Sequence, residues 1–142
     1  MKKVEVEARM GERFTIESSI RGHKVYVDQP AAAGGQDFGP TPLEYLMLSL
    51  GACVMSIGRI VAMQRKIAMR GMTVTVSGDL DVSTLLGKGT ESRAGFAGFT
   101  VRVEVDADLS HEEKLRFVEE VDRRCPVSDN LQHVTPVSVV LA

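Results

Sequence analysis

The sequence predicts an α+β fold, and three observations carry that prediction. Several short segments alternate polar and apolar side chains with a period of two. One long apolar segment recurs at helical spacing behind a strong N-terminal cap. A second capping box opens a shorter amphipathic helix further on. The chain has 142 residues, 44% of them apolar, and no repeat, low-complexity tract or linker. It therefore reads as a single domain over residues 1–142 with enough apolar material for a real core.

In chain order, residues 2–8, 13–20 and 23–28 alternate as strands with one buried face, and Arg21-Gly22 reads as a hairpin turn. Residues 28–39 form a loop rich in Ala and Gly. Thr41 is a good N-cap, Pro42 suits the first helical position, and Glu44 completes a Thr-x-x-Glu capping box. The helix that follows carries Leu46, Leu50, Cys53, Ile57 and Ile60 and is apolar almost all round as far as Arg59, so burial on most sides is expected. Ser49, Ala52 and Ser56 would let another helix approach closely. A chain of this size can hardly wrap such a helix, so a homodimer is expected. Residues 72–81 and 96–107 are strongly alternating strands, with a polar loop at 83–95 between them. Ser110 and Glu113 form the second capping box, opening a helix with Leu115, Val118 and Val121 on its apolar side. Pro126 disfavours helical geometry at Cys125, so that helix should end near Arg124 and a short new one begin at Pro126. Residues 134–141 read as a closing strand.

Composition excludes several functions. The net charge of −2, with both signs spread along the chain, leaves no basic stripe for nucleic acid and no polybasic patch for a membrane surface. The charged start lacks the apolar run of a signal peptide, and the uncharged stretch at 45–58 is shorter than the roughly 20 residues needed to cross a bilayer. A cytoplasmic protein is expected. In that compartment two thiols are either inert core residues or a redox pair.

Cys53 and Cys125 are the only cysteines. Cys53 can be read as a small core hydrophobe, since a thiol in apolar surroundings is inert unless a cation or hydrogen-bond donors favour its thiolate. Cys125 follows Arg123 and Arg124 and precedes the start of a helix, a setting that favours a thiolate; the plainer reading is a residue that ends one helix and packs on the core. His23, His111 and His133 make no metal-ligand spacing with the cysteines, so no metal site is expected. Gly34-Gly35 and Gly87-Lys-Gly89 lack a phosphate-loop pattern and read as turns. Met47, Met55 and Met63 on the long helix read as flexible core filler.

Taken together, Gly39-Pro-Thr-Pro-Leu-Glu-Tyr-Leu, the Ala52-Cys53 pair six residues on, and Cys125-Pro-Val-Ser strongly resemble the OsmC/Ohr family of osmotically inducible and organic hydroperoxide resistance proteins. The Asp28-Gln-Pro and Gly34-Gly-Gln-Asp-Phe-Gly segments fit as well, so the resemblance covers essentially the whole chain. It implies an intertwined α+β homodimer in which central apolar helices are wrapped by β-sheets. It also implies a thiol-dependent peroxidase acting on organic hydroperoxides. Cys53 would be the peroxidatic thiol and Cys125 the resolving one, closing a Cys53–Cys125 disulfide that an external dithiol such as a dihydrolipoyl group reopens, with no bound cofactor or metal. An arginine of the N-terminal hairpin and a glutamate would hold the reactive thiol; Arg13, then Arg9, are the candidates, with Glu44. One departure is visible. The hydroperoxide resistance branch places its glutamate directly after the proline, whereas Leu43 stands there in this chain and Glu44 follows it. Because one residue is roughly 100° of helical turn, Glu44 could serve only as a cap. The spelling is closer to the OsmC-like branch, and a redox-responsive or small-molecule-binding protein with little peroxidase activity is the alternative.

Overall fold

Three short strands open the chain: β1 (Ala8–Met10), β2 (Ile16–Ile20) and β3 (His23–Val27), paired antiparallel in the order β1-β2-β3. The computed structural model describes residues 1–89 and 91–142. Arg21 and Gly22 join β2 to β3 with φ of 52° and 84°, the two positive values that a tight primed hairpin turn requires. β1 lies later and is shorter than the alternation at 2–8 suggests. Its register sets Ala8 opposite Ser18 and Met10 opposite Ile16, so residues before Val6 would run past the end of β2 and find no ladder partner. β2 likewise starts at Ile16 rather than at residue 13, because residues 12–14 bend to reverse the chain.

The chain divides into two compact units, Met1–Leu46 and Met47–Ala142. In the first, the loop after β3 is ordered by Asp28, whose side chain is buried. Its carboxylate accepts from the Thr15 hydroxyl (2.9 Å) and from the backbone N–H groups of Gln29 (2.8 Å), Gln36 (3.3 Å) and Phe38 (3.2 Å). Burial alone would raise its pKa; the hydrogen bonds outweigh burial and hold the carboxyl below its ordinary value. Gly35 sits where a Cβ would collide with the backbone carbonyl of Gln29. This knot returns the chain to Thr41, where α1 (Pro42–Gln64) begins.

In the second unit, α1 lies on a two-stranded antiparallel sheet of β4 (Met69–Ser77) and β5 (Thr100–Ala107). Met72, Val74 and Val76 stand opposite Val105, Val103 and Val101 and turn one apolar face to the helix. β4 starts three residues earlier than its alternation suggests, because a register irregularity between Met69 and Gly71 interrupts the pattern without ending the strand. β5 starts at Thr100 rather than at 96; Phe96 belongs to the preceding loop and packs on Phe99 with ring centroids 4.8 Å apart. That loop's polar segment at 83–95 includes Thr90, which lies outside the described residues. Gly51 and Gly58 let Val74, Val76 and Met72 come against the helix backbone.

α2 (His111–Arg124) starts at the expected capping box, with Ser110 Oγ accepting from the Glu113 N–H (3.2 Å) and Glu113 accepting from the Ser110 N–H (2.7 Å). Its buried stripe is Phe117 and Val121, spaced by four. Leu115, expected on that face, is exposed. Pro126 ends α2 and starts α3 (Pro126–Gln132) as expected. The core gathers Leu50, Val54, Val61 and Ala62 of α1, Met69, Val105 and Ala107 of the sheet, and Phe117, Val121 and Cys125. Full burial of a side chain such as Val61 or Val121 contributes roughly 1.5–3 kcal/mol each.

One expectation is corrected, and another is narrowed. Residues 134–141 form no strand; Val134, Val137, Val139, Val140 and Leu141 stand exposed. Alternation supplies propensity, but a strand needs a facing row of donors and acceptors, and Pro136 removes one donor of its own. Within a single chain, helix α1 is covered along one side only, and the expected burial on most sides rests on a second copy of the chain. One stripe is covered (Leu50, Gly51, Val54, Gly58, Val61, Ala62), while Leu48, Ile60 and Met63 are exposed. Its 23 residues also make α1 long and apolar enough, by length and composition, to span a bilayer, because it continues past Arg59. Its covered stripe nevertheless packs within a protein core, and Arg59 donates to the Met69 carbonyl (2.9 Å).

Gly35→Ala should lower unfolding stability by about 1–3 kcal/mol, because the Gln29 backbone cannot step aside as a side chain would. Gly11→Ala, with open space around it, should change stability by less than about 1 kcal/mol. Urea midpoints at equal protein concentration check both; equal loss in the two variants would refute the knot.

Candidate functional site

The second unit brings Cys53 and Cys125 together. Cys125 continues the α2 stripe one further step: Phe117, Val121 and Cys125 are each four apart and all are buried. Cys53 stands on α1 beside Leu50 and Val54, partly buried against the same core. Both are free thiols.

Cys125 is held at every atom that can hydrogen-bond. It is at once the last cap of α2 and the first cap of α3, with φ −80° and ψ 111°. Its N–H donates to the Asp122 carbonyl (3.1 Å), its carbonyl accepts from the Asp129 N–H (2.9 Å), and its Sγ accepts from the Ser128 N–H (3.5 Å). Pro126 has no N–H to give, so the chain cannot continue α2 through this point. Of the two readings of Cys125, the structure agrees with the plainer one, a residue that ends α2 and packs on the core. Burial, then the neighbouring Cys53 thiol, push its pKa above the ordinary 9.0, and the backbone N–H groups of Ser128 and Val127 pull the other way without prevailing. Arg124 is engaged at the exposed helix surface by Glu120 (3.1 Å).

A cluster around Cys125 was not legible in the sequence. Ser128, itself buried, donates its hydroxyl to Asp122 Oδ1 at 2.5 Å and accepts from Gln132 Nε2 at 2.7 Å, while Gln132 also reaches the Asp122 carboxylate. The spacing of these three residues is a signal only once the break at Pro126 is recognised.

Glu44 and Arg13 belong to the first unit. Glu44 is exposed and forms the expected box: its carboxylate accepts from the Thr41 N–H (2.7 Å) and hydroxyl (3.0 Å), and Thr41 Oγ1 accepts from the Glu44 N–H (3.3 Å). These bonds hold the Glu44 carboxyl below its ordinary pKa. Arg13 lies exposed in the bend between β1 and β2, and among the described residues it makes no ion pair. Arg9, the other candidate, is engaged by Glu7 (2.7 Å). Arg9 also lines an open, mixed-charge concavity of about 540 Å³ with Glu7, Glu17, Ser18 and Lys24, which contains no nucleophile beyond the Ser hydroxyls. Among the described residues no three His, Cys, Asp or Glu side chains gather into a group that could hold a metal ion.

Two adjacent thiols, one reachable and one enclosed, can exchange between dithiol and disulfide. Comparison with known proteins places the chain by family and fold. The family model described as OsmC-like protein matches residues 34–140. A hydroperoxide reductase of Mycoplasma pneumoniae is 22% identical over 138 residues, covering 97% of this chain and 93% of that protein. Among solved structures, an OsmC-like protein from Mycoplasma pneumoniae superposes with a TM-score of 0.81 at 22% identity, covering 94% of this chain and 89% of that one. An organic hydroperoxide resistance protein OsmC from Legionella pneumophila gives 0.69 at 22% identity, covering 93% and 92%. At these identities the structural likeness establishes the fold.

Iodoacetamide at pH 8 should label Cys53 at least about tenfold faster than Cys125, because the enclosed thiol is both shielded and held protonated. Peptide mapping over time checks this. Equal rates in the folded protein would contradict the placement of Cys125.

Proposed function

The chain belongs to the OsmC-like protein family, and from that premise we propose that it is a thiol-dependent peroxidase that reduces organic hydroperoxides through Cys53 and Cys125. The observation that carries the reading is the pairing of a partly exposed thiol with a fully enclosed one in a single core. A hydroperoxide can reach only the first, and only the second is placed to close on it.

The Cys53 thiolate attacks the distal peroxide oxygen. The O–O bond breaks, the leaving alkoxide takes a proton and departs as alcohol, and Cys53 becomes a sulfenic acid. Cys125 then gives an electron pair to the Cys53 sulfur; the S–O bond breaks and the hydroxyl leaves with the Cys125 proton as water. A dithiol of the dihydrolipoamide class, presented by a reductant protein, returns both thiols by exchange. Arg13 is the candidate cation for the Cys53 thiolate, and it is better suited than Arg9, which Glu7 already neutralises. Glu44 is assigned to the Thr41 cap. No bound cofactor or metal is called for. The apolar side chains flanking Cys53 favour a bulky organic hydroperoxide, since hydrogen peroxide gains little from apolar contact. The working form is a homodimer, in which the uncovered face of α1 (Leu48, Ile60, Met63) and the exposed residues 134–141 find their cover. Nucleic acid and membrane are not partners in this reading, and the cytoplasm, where dithiols persist, is the compartment it requires.

One observation favours a second reading. The Glu44 carboxylate is taken up by Thr41 and is not free to help hold the Cys53 thiolate, which would make turnover slow. The chain would then act as a thiol switch or small-molecule-binding protein built on the same pair.

Turnover of cumene hydroperoxide with dihydrolipoamide separates these readings. Cys53→Ser should abolish it, and Cys125→Ser should leave sulfenic or overoxidised Cys53; wild-type rates in both variants would sink the peroxidase reading. Because the Cys125 pKa is raised above 9.0, its thiolate fraction is small at neutral pH and grows with each step upward. Disulfide closure, followed by rapid quench and mass, should therefore accelerate steadily from about pH 7 to 9 with no plateau. A plateau below pH 8 would contradict the raised value.

A further inference from the structure

We propose that Asp122, Ser128 and Gln132 form a clasp that positions Cys125 for disulfide closure, with Ser128 the residue through which it acts. The proposal rests on the redox-pair reading above and adds positioning residues to it.

The need for a clasp follows from Pro126. A continuous helix would fix residue 125 through its own ladder, but the ladder stops at Arg124 and Pro126 offers no N–H to resume it. α3 is a single short element of seven residues, too short to hold its own orientation, so its pose depends on what ties it to α2. Val127 packs against the core, the Asp129 N–H bonds the Cys125 carbonyl, and three side chains supply the polar ties. Asp122, in the last turn of α2, accepts the Ser128 hydroxyl at 2.5 Å, the length of a charge-assisted O–H···O bond. Gln132, at the far end of α3, donates to Ser128 Oγ at 2.7 Å and to Asp122 at 3.3 Å, closing a ring of side chains. Ser128 is 94% buried by its 6% exposure, so its hydroxyl has little access to water as a substitute partner. The same residue's N–H meets the Cys125 sulfur at 3.5 Å. The hydroxyl thus anchors the peptide that faces the thiol. Misplacement of a reacting atom by about 1 Å can cost on the order of a hundredfold in rate, and attack of one sulfur on another demands alignment.

Closure requires Cys53 as sulfenic acid and Cys125 as the incoming sulfur, with water as the product; the clasp takes no part in the first step. The reduced, full-length protein would be mixed with one equivalent of cumene hydroperoxide. Sulfenic acid formation is read by dimedone adduct, and closure by the loss of two hydrogens in the intact mass. Ser128→Ala and Asp122→Ala should leave the first step within about twofold and slow closure at least about tenfold, with more dimedone adduct. Ser128→Thr, which keeps the hydroxyl, should recover most of the closure rate. The equilibrium of the Cys53–Cys125 pair in mixed oxidised and reduced glutathione should show a matching fall of about tenfold in effective thiol concentration in both alanine variants. That second measurement needs no peroxide, so it judges the clasp even if the wild-type chain proves inactive, which would refute the peroxidase reading alone. Asp122 is exposed, so its alanine variant tests the proposal should Ser128→Ala fail to fold. Closure rate and glutathione equilibrium both at wild-type values in Asp122→Ala would overturn it.

Discussion

The break at Pro126 is the constraint that shapes the surroundings of the enclosed thiol. The spacing of four carries Cys125 onto the Phe117 and Val121 stripe, inside the core that α1 also lines. The proline ends α2 at that point and turns the chain into α3, which brings the Ser128 N–H back to the Cys125 sulfur. The chemistry then follows from placement. Two thiols remote in sequence share one apolar setting, one of them partly exposed and the other enclosed. Enclosure raises the pKa of Cys125, which lowers its reactivity while leaving it beside the Cys53 thiol.

The sheet serves that placement. Matched apolar positions on β4 and β5 make a flat apolar floor, and the side-chain-free positions at Gly51 and Gly58 let α1 settle on it, which sets the height of Cys53. In the first unit a different device does comparable work. Asp28, a buried carboxylate with four donors, ties the loop that leads to the Thr41 cap, and so determines where α1 starts. A carboxylate held in this way exchanges the cost of burial for several hydrogen bonds to its charged form.

Much of this was legible in the sequence, for physical reasons that can be named. Both capping boxes, at Thr41 and Ser110, are local and were read correctly, as were the Arg21-Gly22 turn and the helix boundary at Pro126. The two thiols were found because they are chemically distinctive. What escaped depends on partners that a one-dimensional pattern does not name. The alternation at 2–8 outruns the strand it pairs with, that at 134–141 is paired with no strand of this chain among the described residues, and the irregularity at Met69–Gly71 hides the start of β4. Phe117 was passed over in favour of Leu115 because only packing says which face of α2 turns inward. The sequence leaves two readings of Cys125 open, a thiolate favoured by flanking arginines and a residue packed on the core, because only the fold shows that burial is complete. The Asp122, Ser128 and Gln132 cluster spans the elbow and exists only once the chain has turned.

The central claim is that Cys53 and Cys125 of one chain form a single redox pair. The most direct measurement is a non-reducing peptide map after oxidation with one equivalent of organic hydroperoxide. The account predicts one new cross-link, joining the Cys53 peptide to the Cys125 peptide of the same chain, with the polypeptide remaining a single chain on a denaturing gel. A Cys53–Cys53 link between chains, or two unlinked cysteines oxidised independently, would contradict it.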